Sequence, residues 1–314
     1  MQEFADQVVI ISGAGRGIGR QHALFFAQAG AKVVVNDFGG DLRGANTNNA
    51  GPANEVVDRI TAAGGVAVAA VCDIADPAAV NAIVDDAMER WGRVDVAIHN
   101  ATNFVELSPF DEASHRDLAT MVGVNLNGGW NLAQACWPHM RQQKYGRIVM
   151  TGSAAGYFGR LQDHAYSMAK GALLPLVKVL AAEGAEFGIK VNMMAPVAAT
   201  ENAIEQKFPL TLADYATPAQ ITTLVAALSH RDCPVNGRMF HNGGGYIGEV
   251  FVAETAGKMF LRDELTVDSV IAGMPEICDR KSFITPATTD DSAIKLLQTL
   301  SAAYPELAGL MTNG

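Results

Sequence analysis

From residue 7 to about residue 245, short β-branched runs alternate with longer segments whose apolar residues fall three and four apart. The first pattern suits buried strands, the second amphipathic helices. Strands are predicted at 8–12, 32–36, 66–72, 94–98, 146–151, 189–194 and 238–241, with helices at 17–29, 52–63, 77–91, 114–140, 164–187 and 218–229. This alternation is that of repeated βαβ units, whose right-handed crossovers stack into a doubly wound, seven-stranded parallel sheet, an α/β fold of the Rossmann kind. Residues 39–51 break the rhythm with Gly and Asn and read as an inserted loop. Beyond about residue 250 the alternation stops, and spacings such as Ile294, Leu297 and Leu300 suit one amphipathic helix. The expected organisation is a domain over 1–250 and a C-terminal extension over 251–314.

The first strand runs into Ser12-Gly13-Ala14-Gly15-Arg16-Gly17-Ile18-Gly19 at the start of a helix. Helix N-termini expose unpaired N–H groups, and glycines there let a backbone approach phosphate oxygens without Cβ clashes. The spacing is not a strict GxGxxG, because Ile18 stands at the third glycine's place, and a tight packing turn is the alternative. Asp37 closes the second strand twenty residues after Gly17, where a carboxylate accepts both hydroxyls of an adenosine ribose. The pair points to a dinucleotide, with the 39–51 loop near its adenosine end. A 2′-phosphate would meet like charge at Asp37, which favours NAD over NADP; Arg16 pulls the other way, since a guanidinium holds phosphate well. Asp73, followed by Ile74, ends the third strand and either accepts from an adenine amino group or caps the helix that Pro77 opens.

Tyr166 and Lys170 lie four apart in a predicted helix and share one face. A free phenol is a poor acid or base at neutral pH, and a nearby cation brings it toward a useful range. Ser153 stands thirteen residues before Tyr166, after a strand and among small neighbours. Two bland alternatives stay open: Ser153 capping the following turn, and Asn125 satisfying backbone groups inside a helix.

On SGAGRGIG, Asp73, Asn100-Ala101, Asn125, Ser153 and Tyr166-Ser167-Met168-Ala169-Lys170, in that order over about residues 7–245, the chain resembles the short-chain dehydrogenase/reductase family. The resemblance implies a nicotinamide-dependent oxidoreductase that interconverts a secondary alcohol and a ketone. By it, Ser153 hydrogen-bonds the substrate oxygen, Tyr166 exchanges the proton, Lys170 lowers the tyrosine pKa and holds the nicotinamide ribose, and Asn125 positions a relay water. The cofactor contacts it implies begin with Gly13, Arg16, Gly17, Ile18 and Gly19. They continue through Asp37, Asp73, Ile74, Asn100 and Ala101 to Tyr166, Lys170 and Thr200, the last toward the nicotinamide carboxamide. The chain departs from the family at His99-Asn100-Ala101-Thr102, where Asn-Asn-Ala-Gly is usual, and at Val197, where glycine is favoured. Thr102 is expected to alter the cofactor pocket, and His99 reads as a strand-end histidine packed between layers. Residues 197–216 fall where the family carries a substrate lid, and Ile204, Phe208, Leu210 and Leu212 suit either an apolar substrate or helix packing.

A narrower resemblance rests on Asn36-Asp37-Phe38-Gly39-Gly40-Asp41, on residues 143–151, on Gly244-Gly245-Tyr246-Ile247-Gly248 and on 267–279. These are similar to the dehydrogenase units of peroxisomal type 2 multifunctional enzymes. The implied substrates are (3R)-3-hydroxyacyl-CoA thioesters, or the steroid-like molecules of bacterial relatives, and the extension then helps to build a homodimer or homotetramer. Without hydratase and sterol-carrier segments, a stand-alone dehydrogenase is expected.

Composition narrows the field further. A chain of 314 residues, 49% hydrophobic, is ample for a large α/β core. A net charge of -10 and a pI near 5.1 argue against a nucleic-acid partner and leave a small-molecule substrate. Cys72, Cys136, Cys233 and Cys278 are scattered and read as reduced thiols. No apolar run, charged leader or peroxisomal tripeptide is apparent, so a cytoplasmic protein without a membrane segment, and without a metal, is expected. Two rival readings stand: an NADPH-dependent carbonyl reductase, which Arg16 supports, and a non-catalytic NAD-binding scaffold, which Thr102 and Val197 support.

Overall fold

The structure, a computed structural model, describes residues 3–40, 48–103, 105–200, 211 and 213–306. Two compact units divide it, Met1–Val250 and Phe251–Gly314. The first holds an eight-stranded sheet in the order β3-β2-β1-β4-β5-β6-β7-β8. Its strands are β1 Val8–Ser12, β2 Lys32–Asn36, β3 Val66–Ala70, β4 Val96–His99, β5 Gly146–Thr151, β6 Ile189–Pro196, β7 Met239–Gly243 and β8 Tyr246–Val250. The first seven pair in parallel, as the alternation predicts, and the order reverses between β1 and β4. In open α/β sheets a crevice forms at that reversal, beyond the carboxyl ends of the strands.

β8 is the addition. It runs antiparallel to β7 through Gly244 and Gly245, both at positive φ (58° and 85°), a turn geometry that glycine adopts without a Cβ penalty. Tyr246 and Ile247 are largely exposed, so no apolar alternation marks this strand in the sequence.

Side chains of β1 separate into two cores, as a period of two requires. Val9 and Ile11 pack with Phe26 of α1 (Gly17–Gln28), Val56 and Ile60 of α2 (Gly51–Ala62), and the last helix of the unit, Pro218–Ser229. Val8 and Ile10 face the other way, toward α3 (Pro77–Trp91), α5 (Gly128–Gln143) and α7 (His164–Gly184). The predicted helix over 114–140 is interrupted: α4 (His115–Met121) leads into a π-helical turn, Val122–Asn127, before α5. α6 is the short Ala154–Phe158, and we number Pro218–Ser229 α8. Together with the 3-10 turn that follows α7, His164–Phe187 is long and apolar enough to span a bilayer, which corrects the sequence expectation; in the structure its Leu173, Val177 and Ala181 pack against the sheet.

Within the second unit, β9 (Glu254–Thr255) pairs antiparallel with β10 (Phe283–Ile284), and α9 (Val267–Ile277) and α10 (Thr289–Ala303) each start in a capping box. Glu254 accepts from Ser292 Oγ at 2.6 Å and from Lys295 Nζ at 2.8 Å, tying β9 to α10. All four cysteines are unpaired.

α1 and α8 are pinned by a polar contact inside an apolar core. His22 is fully buried, with Nδ1 2.8 Å from Thr222 Oγ1, and burial lowers its pKa to about 3. His99 is lowered likewise, to about 3. Both are neutral in the fold and become charged in the unfolded chain below the ordinary histidine value near 6.5. Unfolding therefore takes up protons in acid, and stability falls as the pH drops from about 6.5 toward 4, by about 1.4 kcal/mol per pH unit for each histidine. Chemical denaturation across that window should show this slope, and His22→Gln should flatten it by about one proton.

Candidate active site

A cavity of about 1030 Å³ opens at the carboxyl ends of the central strands. One end is walled by Gly13, Arg16, Gly17, Ile18 and Asp37, the middle by Asp73, Ile74, Asn100 and Ala101, and the far end by Ser153, Tyr166, Lys170 and Thr200. Every predicted site residue except Gly19 and Asn125 lines it.

Gly19 stands behind the wall for a steric reason. A Cβ there would lie 2.1 Å from Gly13 O, and one on Gly13, whose φ is +63°, would lie 2.7 Å from Ala101 Cα. These two glycines let the turn after β1 sit against the end of β4, and Asn100 Nδ2 fastens the join by donating to Gly13 O at 3.1 Å. The turn is held from the other side by Asp37, whose Oδ2 accepts from Gly15 N and whose Oδ1 accepts from Gly39 N, both at 2.8 Å. Arg16 donates through Nη1 to Gly40 O at 2.9 Å. α1 then begins at Gly17 with no side-chain cap and no acidic residue in its first turn. Uncapped N–H groups beside a glycine cradle, next to a carboxylate, fit a dinucleotide pyrophosphate and its ribose.

Of the two sequence readings of Asp73, the cap for α3 does not hold: the N-cap is Asp76, whose carboxylate accepts from Ala78 N and Ala79 N. Asp73 Oδ1 instead accepts from Ala75 N at 2.9 Å and lines the cavity. Thr102 is exposed and donates to Asn103 O at 3.3 Å. Val197 lines the cavity with its backbone N–H on Asn242 O at 2.8 Å. The lid residues Ile204, Phe208, Leu210 and Leu212, and most of the 39–51 loop, lie outside the described residues.

At the far end, Ser153 does two things at once. Its Oγ accepts from Ala155 N at 3.2 Å, capping α6, and it is hydrogen-bonded to the Tyr166 phenol. Lys170 is 1% exposed, donates to Thr151 O at 2.7 Å, and carries its Nζ 5.8 Å from the Tyr166 ring centroid. Burial lowers the Lys170 pKa to about 7. Burial also raises the Tyr166 pKa, opposed by the Ser153 hydrogen bond and by Arg160. In the protein alone, desolvation is the largest influence on the Tyr166 phenol. Asn125 is fully buried in the π-turn; Nδ2 donates to Met121 O at 3.1 Å, and Oδ1 has no partner.

Sequence reasoning missed Asp163. It is buried beside Tyr166 at the N-cap of α7, makes no capping hydrogen bond, and pairs with Arg160 Nη1 at 3.5 Å. Burial raises its pKa, and both residues line the cavity. Its three-residue spacing from Tyr166 was the available signal, but nothing in that spacing says the carboxylate is buried.

The short chain dehydrogenase family profile matches residues 7–209, and the chain belongs to that family. It is 39% identical over 278 residues to a peroxisomal hydratase-dehydrogenase-epimerase of Saccharomyces cerevisiae, covering 88% of this chain and 30% of the relative. The structure of full-length peroxisomal multifunctional enzyme type 2 from Drosophila melanogaster superposes with a TM-score of 0.79 at 27% identity, over 95% of this chain and 50% of that one. A 7α-hydroxysteroid dehydrogenase complexed with NADH and 7-oxo glycochenodeoxycholic acid superposes at 0.69 with 30% identity, over 77% of this chain and 94% of the other. The chain spans from 30% to 65% of the length of the first curated relatives it matches. It is an oxidoreductase acting on a CH–OH group with a nicotinamide cofactor.

Burying an ammonium against one carbonyl costs the fold stability. Lys170→Met should therefore raise the unfolding free energy of the ligand-free protein at pH 7 by about 1–3 kcal/mol, after allowing for the lost bond to Thr151 O, while removing turnover. Urea unfolding checks it, and a variant less stable than its parent contradicts it.

Proposed function

We propose that the chain is an NAD-dependent dehydrogenase that interconverts a secondary alcohol and a ketone on a (3R)-3-hydroxyacyl-CoA or steroid-like substrate. The observation that carries the reading is the convergence of Ser153, Tyr166 and Lys170 at one end of a cavity whose other end is the glycine turn and Asp37. When bound, the nicotinamide ring accepts or returns the hydride. The chain's own groups handle the proton: Ser153 Oγ hydrogen-bonds the substrate oxygen, and Tyr166 Oη takes its proton in oxidation or gives it back in reduction. Lys170, held on Thr151 O, supplies positive charge below its pKa of about 7.

Asp37 supports NAD, because its carboxylate stands at the adenosine end where a 2′-phosphate would meet like charge. Arg16 lines the same end and supports the NADPH alternative, though its Nη1 is already engaged by Gly40 O. The far wall supports an apolar substrate, with Val105, Ala119, Val124 and Phe158 facing the cavity. The bile-acid ligand of the 7α-hydroxysteroid dehydrogenase supports the steroid-like class, and the similarity to peroxisomal multifunctional enzymes supports the thioester class that the sequence resemblance implies.

The extension supports self-association. Val267, Ile271 and Met274 share one face of α9 and are 76%, 64% and 46% exposed in their own unit. We propose a homodimer or a homotetramer that uses this face; light scattering should show the parent as an oligomer and Ile271→Lys shifted toward monomer.

The deciding assay is NADH formation at 340 nm, with NAD and NADP in parallel, over (3R)- and (3S)-3-hydroxyacyl-CoA thioesters and hydroxysteroids. Turnover of a (3R)-thioester or a steroid with NAD is expected. Tyr166→Phe should bind NAD as the parent does and lose at least about 100-fold in kcat, since only the proton-transfer group is gone. Full activity in that variant overturns the mechanism.

A further inference from the structure

His99 stands where the family usually carries asparagine, and its surroundings fix its protonation completely. The imidazole is 0% exposed and does not line the cavity. Its Nδ1 lies 3.0 Å from Ser12 Oγ and its Nε2 lies 3.0 Å from the backbone carbonyl of Asn125. Ser12 Oγ also accepts two backbone N–H groups, from Asn100 at 3.0 Å and Ala101 at 3.1 Å. A hydroxyl has two lone pairs and one proton. With both lone pairs used, its proton goes to His99 Nδ1, which must then be the bare nitrogen. The imidazole proton is therefore on Nε2, and Nε2–H donates to Asn125 O. No donor or acceptor of the Ser12 hydroxyl or the imidazole is left over.

The ring is closely packed as well as hydrogen-bonded. A Cβ on Gly128 would lie 3.0 Å from His99 Cε1, and one on Gly129 would lie 3.1 Å from Cδ2, so glycine at the first two positions of α5 leaves the imidazole its space. Lys170 is the charged group that faces the ring, and both it and burial disfavour the imidazolium.

We propose that His99 is a positioning residue, a single imidazole in one tautomer that couples the end of β1, where the dinucleotide turn starts, to the π-turn that carries Asn125. Ser12 holds the amides of Asn100 and Ala101 beside Gly13. His99 relays that anchor to a helical turn whose own hydrogen bonding is irregular and whose Asn125 Oδ1 has no partner. The cofactor wall and the Asn125 segment are thus set by one rigid link. Its bearing on turnover rests on the oxidoreductase reading above, whereas the link itself does not.

Two substitutions cut the link at opposite ends. His99→Asn keeps an acceptor where Nδ1 stands and falls short of Asn125 O; His99→Gln keeps a donor where Nε2 stands and gives up the Ser12 acceptor. Hydrogen exchange by mass spectrometry on the whole chain reads both ends without substrate. His99→Asn should speed exchange in 122–127 by roughly 3–10-fold and leave 12–19 unchanged, the range expected for one lost hydrogen bond. His99→Gln should do the reverse and weaken NAD binding by a similar factor. Nitrogen NMR of the imidazole should show the Nε2–H tautomer from pH 5 to 9. An Nδ1–H tautomer, a ring that titrates near 6.5, or equal exchange changes at both ends in both variants overturns the proposal. With the alcohol that the assay panel turns over, His99→Asn should lower kcat with KM within about twofold, and His99→Gln should recover most of kcat. If Tyr166→Phe keeps full activity while the tautomer and exchange results hold, the catalytic reading fails and the link stands.

Discussion

The architecture depends on how closely the end of β1 can approach the end of β4. At that point a backbone carbonyl, an asparagine amide and an alanine Cα occupy space that Cβ atoms would otherwise fill, and Gly13 and Gly19 leave it open. From this contact follow the crevice at the strand-order reversal, the uncapped start of α1 and the wall made by Asn100 and Ala101. Ser12, one residue earlier, turns the same contact into a hydrogen-bonded hub with three partners. Sterics open the site and one hydroxyl fixes its edges.

Around the far end of the cavity, burial works against charge. Lys170 and Asp163 are both nine-tenths or more buried, the lysine depressed and the carboxyl raised, and the Tyr166 phenol is raised between them. Groups in such surroundings are biased toward their neutral forms. The same desolvation that makes the trio unfavourable for folding makes it responsive to whatever enters the cavity. Stability is lower here because the chemistry needs polar groups out of water.

The strands and helices of the first unit were legible because each buried face repeats with its own period: Val9 and Ile11 to one core, Val8 and Ile10 to the other. β8 was not, because Tyr246 and Ile247 are exposed and only two glycines mark its turn. The cavity residues were legible through motif spacing, which carries information along the chain but none about depth. So Gly19 and Asn125 were grouped with the site although neither lines the cavity, and Asp163 was passed over although its burial gives it its character, while His99 was read as packed between layers, where it stands. Lys170 was placed near Tyr166 by adjacency on one helix face, whereas the desolvation that raises the phenol is something no spacing reveals.

The π-turn at Val122–Asn127 has a consequence for how this region tolerates change in length rather than in side chain. A π-turn is an α-helix that has absorbed a surplus residue, and each residue advances a helix by about 100°. Removing one residue there would let the segment relax into ordinary α-helix while turning α4 by nearly a third of a revolution against α5. The face of α4 that bears Ala119 and Thr120 on the cavity would rotate out of it, with every side chain chemically intact. In this stretch the count of residues is itself a specification of the site, and a deletion that improves the local helix would dismantle the wall.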